Sequence, residues 1–117
     1  VRTLSKTEFD EAYQFLIDKV DKVKTSFWGV ALECLIRINK PSTADDLFGK
    51  LNENKVNGIY WTDEIVFALI RLRNKSYINF CSTYIKTAII NNRENVSKLI
   101  AALVLLDKNM FQKTCDL

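Results

Sequence analysis

The stretch LIRINKPS begins at Leu35 and LIRLRNKS begins at Leu69, so this chain of 117 residues writes nearly one phrase twice, 34 positions apart. A repeat of that length restricts the fold severely, because each copy must build the same kind of unit. Sliding the sequence by the same step brings Cys34-Leu35-Ile36, Ala68-Leu69-Ile70 and Ala102-Leu103-Val104 into register. Leu32, Val66 and Ile100 lie three places before the aligned leucines, and Ile38, Leu72 and Leu106 three places after them. Apolar residues at this spacing line one face of an α-helix. The small residue at Cys34, Ala68 and Ala102 suits close helix–helix approach.

A second column follows the same step. Phe9, Tyr77 and Phe111 align, with Thr43 as the exception; Tyr13, Leu47, Cys81 and Cys115 align, as do Ile17, Leu51 and Ile85. Two helices per unit follow. The spacing predicts helices over 5–24, 26–39, 42–54, 61–74, 76–91 and 95–108, with 110–117 starting one more. Ser5 or Thr7 can cap the first, with Glu8 as the capping-box partner of Ser5. Pro41 cannot continue a helix and Ser42 can cap the next. Asn57-Gly58 and Asn91-Asn92 mark breaks. Thr62 followed by Asp63 and Glu64 reads as a helix start, where the macrodipole favours negative charge.

Only three Gly and one Pro are present, which agrees with helices joined by short connections. The fold expected is all-α: antiparallel helix pairs stacked with a period of 34 residues, a short α-solenoid. Residues 1–117 form one helical-repeat domain, or a piece of a longer solenoid. No apolar run reaches the roughly 18 residues a membrane helix needs. The chain has no His, the commonest general base and metal ligand. Three widely spaced Cys offer no disulfide framework, which points to a reducing compartment. Without a glycine-rich phosphate loop or a nucleophile elbow, no enzymatic activity, cofactor or small-molecule substrate is expected.

Net charge is +3, and its distribution says more than its size. Residues 1–70 carry nine Lys/Arg against eleven Asp/Glu, a balance of −2; residues 71–113 carry eight against two, a balance of +6. A basic half attracts phosphate.

The unit length is near that of tetratricopeptide and pentatricopeptide repeats. The tetratricopeptide pattern wants a Gly where this chain has Ile36, Ile70 and Val104. ALIRLRNKSYINFCSTYI and AALVLLDKNMFQKTC are similar instead to the degenerate helical repeats of organellar RNA-processing proteins, the octotricopeptide-type and RAP-associated repeats. The resemblance covers most of the chain, rests on helically spaced leucines and includes no RAP domain. It implies RNA binding along a stacked-helix surface, or a place in an organellar ribonucleoprotein such as a mitochondrial ribosome.

RNA binding of this kind needs cations beside stacked helices. Arg37 and Arg71 share one repeat position. Lys40, Arg73, Lys75 and Lys108 fall at or just past the ends of first helices. Together these six are the candidate RNA- or partner-binding residues, although the dipole alone also favours cations at helix C-termini. Tyr60, Trp61 and Tyr77 are candidates for base stacking or for packing. Asp45-Asp46 and Asp63-Glu64 are explained by dipole effects without a metal. Two other readings compete. One is a protein-binding helical scaffold, which the even charge of residues 1–70 suits. The other is a winged helix, which requires β structure around Ile78–Ile85, where YINFCSTYI is β-prone in composition.

Overall fold

The computed structural model describes residues 3–20, 27–53 and 58–91, together with 97, 98, 100, 101 and 104. Every regular element among the described residues is helical. In chain order they are α1 (Lys6–Val20), α2 (Phe27–Ile38), α3 (Thr43–Glu53), α4 (Gly58–Leu72), a 3-10 turn (Lys75–Tyr77) and α5 (Ile78–Ile90). Residues 97, 98, 100, 101 and 104 are helical as well. Lys108, Cys115 and the segment 110–117 lie outside the described residues.

Local chemistry sets the boundaries. The Ser5 N–H donates to Glu8 Oε1 at 3.1 Å and the Glu8 N–H donates to Ser5 Oγ at 3.2 Å, a reciprocal capping box that opens α1. Pro41 and Ser42 form the turn into α3, where the Asp46 N–H donates to the Ser42 carbonyl at 2.9 Å. The ends of α2 and α4 share one device. Asn39 (φ 45) and Arg73 (φ 57) occupy the left-handed region, which reverses the chain just past each helix. The Asn39 N–H reaches back to the Leu35 carbonyl at 3.0 Å and the Arg73 N–H to the Ile70 carbonyl at 3.1 Å. Glycine is the usual occupant of such a position; Asn tolerates it, and Arg is strained there.

Two expectations need correction. Helix α4 starts at Gly58, not at Trp61 or Thr62, so Asp63 and Glu64 stand beyond its first turn. Asp63 is 7% exposed and accepts a hydrogen bond from the Tyr84 hydroxyl, so its carboxylate joins α4 to α5 instead of serving the dipole. The second correction removes the winged helix. YINFCSTYI is helical from Ile78 onward, and Cys81, Ile85 and Ala88 are its buried face. Burial at helical spacing outweighs β-propensity there.

The chain divides into two compact units, Val1–Trp61 and Thr62–Leu117, with the division inside α4. In the first unit α1 packs on α2, and the core holds Tyr13, Ile17, Val20, Ala31, Leu32, Leu35, Ala44, Leu47 and Trp61. In the second, Ile65, Val66, Ala68, Leu69, Ile70 and Leu72 of α4 are buried, as are Cys81, Ile85 and Ala88 of α5. The repeated leucines Leu35 and Leu69 are thus core, each fully buried side chain contributing roughly 1.5–3 kcal/mol.

Thr43, the exception in the aromatic column, is also fully buried. The Tyr13 hydroxyl donates to Asp46 Oδ2 at 2.6 Å and lies 3.2 Å from Thr43 Oγ1, so a hydrogen-bonded node joins α1 to α3.

Candidate nucleic-acid interface

The candidate cations sit in different settings. Arg37, in the last turn of α2, is exposed and pairs with Glu33 one turn back at 3.5 Å. An exposed pair of this kind contributes little to stability and releases its cation readily. Lys40 is half-buried. Its ammonium lies 4.1 Å from the centroid of the Tyr13 ring, 5.8 Å from that of Phe9 and 3.9 Å from Asp10 Oδ1, which ties the end of α2 to α1.

The run Arg71-Leu72-Arg73-Asn74-Lys75 spans the end of α4 and the start of the 3-10 turn. Leu72 is buried, whereas Arg71, Arg73 and Lys75 are exposed. The left-handed Arg73 turns the chain there, and the Asn74 side chain accepts a hydrogen bond from the Ser76 N–H at 2.9 Å to begin the next turn. Three cations are therefore carried on one short helix-to-helix junction with no acid among them. Both acids of α4 are engaged elsewhere. Asp63 is held by Tyr84, and Glu64 takes the Lys98 ammonium at 2.9 Å.

Sequence reasoning missed Phe67 and Lys98. Lys98 Nζ lies 4.9 Å from the centroid of the half-buried Phe67 ring, and Arg71 Cζ lies 5.8 Å from the same centroid. Glu64 and Lys98 stand 34 residues apart, the same step that separates the two copies of the repeated phrase.

Among the aromatic candidates, Trp61 is 1% exposed and its indole N–H donates to the Val20 carbonyl at 2.9 Å. It caps the C-terminus of α1, which removes it from any stacking surface. Tyr77 is half-buried in the 3-10 turn. The Tyr13 hydroxyl is held above its ordinary pKa, first by burial and then by its hydrogen bond to Asp46. Burial pushes the Cys81 thiol up to about 12, so it is inert at neutral pH. Cys34 is half-buried and lines a shallow hollow with Gly29, Val30, Glu33 and Arg37.

No protein-family model, curated protein or solved structure matches the chain. A cleft of about 290 Å³ between α1 and α3 is lined by Gln14, Ile17, Asp45, Asp46, Gly49 and Lys50. No group of three or more His, Cys, Asp and Glu among the described residues is arranged to hold a metal ion. No helix among them is long and apolar enough to cross a membrane.

Proposed function

We propose that the chain is a non-enzymatic helical-repeat module that binds single-stranded RNA, or takes its place in an organellar ribonucleoprotein such as a mitochondrial one. The observation that carries this reading is the junction after α4, where Arg71, Arg73 and Lys75 are exposed together while Asp63 and Glu64 are engaged by partners. Such a surface neutralises phosphates without needing a reactive group.

The α-solenoid with its 34-residue period belongs to the same proposal. Two observations support it. The left-handed residues that end α2 and α4, Asn39 and Arg73, stand 34 positions apart, and so do the ion-paired Glu64 and Lys98. A mitochondrial or other organellar setting rests on the resemblance of the repeats.

The test is binding of a labelled single-stranded RNA across a salt series, comparing the wild type with Arg71→Gln/Arg73→Asn/Lys75→Gln. Asn at position 73 removes charge without adding backbone strain, since Asn tolerates the left-handed region. The reading expects affinity to fall steeply with salt and the variant to lose about two units of the logarithmic salt slope. A wild type that does not bind at low salt refutes it.

A protein-binding scaffold is the second reading. It is favoured by Phe15, Phe27 and Val30, three exposed apolar residues of the first unit, with the two rings 6.1 Å apart in edge contact.

A further inference from the structure

Phe67 holds two cations on one ring, and neither it nor Lys98 was a candidate from the sequence. Lys98 Nζ lies 4.9 Å from the ring centroid and Arg71 Cζ 5.8 Å from it. Lys98 keeps 58% of its side chain exposed, and Arg71 is exposed too. A ring face attracts cations through its quadrupole and limits where their flexible stems can go. Glu64 takes part of the Lys98 charge at 2.9 Å.

We infer that Phe67, Arg71 and Lys98 form a phosphate-binding seat for the backbone of a single-stranded RNA, with Phe67 as the positioning residue and Arg71 and Lys98 as the contacts. The inference rests on the RNA reading above and adds two residues to it. Its chemistry is charge pairing. A phosphate oxygen takes an N–H from Arg71 and another from Lys98, and the Lys98–Glu64 pair opens as the phosphate arrives. The seat continues along the chain into Arg73 and Lys75, so one strand can meet both.

This arrangement makes Glu64 a competitor of the ligand, which gives the test a gain as well as losses. Binding of a labelled oligouridine to the whole chain is followed by anisotropy across a salt series. Lys98→Gln, a surface change, is expected to lower the logarithmic salt slope by about 0.7. Phe67→Leu is expected to weaken binding about threefold although no charge is lost, and Phe67→Tyr to restore it. Glu64→Gln is expected to tighten binding on the order of twofold, and Glu11→Gln in α1 to tighten it less. Circular dichroism on each variant separates loss of binding from loss of helix.

Two results overturn the inference, and they differ. If the wild type binds and the Arg71/Arg73/Lys75 variant weakens it, but Lys98→Gln and Phe67→Leu bind as the wild type does, the seat is wrong and the RNA reading stands. If the wild type does not bind RNA, the RNA reading falls and the seat falls with it.

Discussion

Among the described residues, Arg73 has the backbone conformation that least suits its type. A φ of 57 brings its Cβ close to the following carbonyl oxygen, a strain that glycine does not have. Arg73→Gly should raise stability by up to about 1 kcal/mol, and Asn39→Gly by less, because Asn already tolerates that region. Urea denaturation of the two variants checks the order. If the same Arg73→Gly change weakens RNA binding, the strained residue is retained for its charge. Two other residues, Cys81 and Tyr13, bear on stability at alkaline pH. Both carry their proton more tightly in the fold than in the unfolded chain, so the folded state binds more protons above their ordinary values. Their contribution is complete below pH 9 and is lost as pH rises, for Cys81 between 9.0 and about 12. Cys81→Ala should flatten stability against pH in that window while leaving the profile near neutrality unchanged in slope. A titration of the urea midpoint from pH 7 to 11 reads this directly, and an unaltered alkaline slope would refute it.

At the scale of the elements, the helix ends show how far a single sequence could be read. The capping box at Ser5 and Glu8 and the turn at Pro41-Ser42 involve residues a few positions apart, so their signals are local. The start of α4 was misplaced because Thr62-Asp63-Glu64 imitates a first turn, and the true partner of Asp63 is 21 residues away at Tyr84. Trp61 shows the same limit. Nothing near it in the sequence points to the Val20 carbonyl, 41 residues earlier, which it caps. Trp61→Phe should cost about 1–3 kcal/mol, since it leaves a buried carbonyl at the end of α1 without its donor. The downward shift of the urea midpoint, followed by circular dichroism, measures that cost. Gly49 of α3 offers the opposite case. A Cβ there meets nothing within 4 Å, so Gly49→Ala should stabilise by about 0.5–1 kcal/mol.

Over the whole molecule, the helical class was legible because the apolar period repeats in three places, and Leu35 and Leu69 are buried as that period requires. Cationic residues were legible as types but not as surroundings. Arg37 pairs with Glu33, Lys40 lies on Tyr13, and Arg71 shares Phe67 with Lys98. Charge balance is −2 over residues 1–70 and +6 over 71–113, so any polyanion should meet the later part of the chain. Lysine acetylation in the presence of saturating RNA should protect Lys75 and Lys98 and leave Lys6 and Lys19 reactive. Equal protection along the chain would show that the asymmetry does not direct binding.

Helix α4 belongs to both compact units, Gly58–Trp61 to one and Thr62–Leu72 to the other. Dividing the gene at that point would give each product a truncated helix and take the Trp61 cap and the Asp63 carboxylate out of their shared helix. Shortened versions should therefore carry α4 intact in either half. A fragment of residues 1–72 would keep its cap for α1, and one of 58–117 would keep its tie to Tyr84.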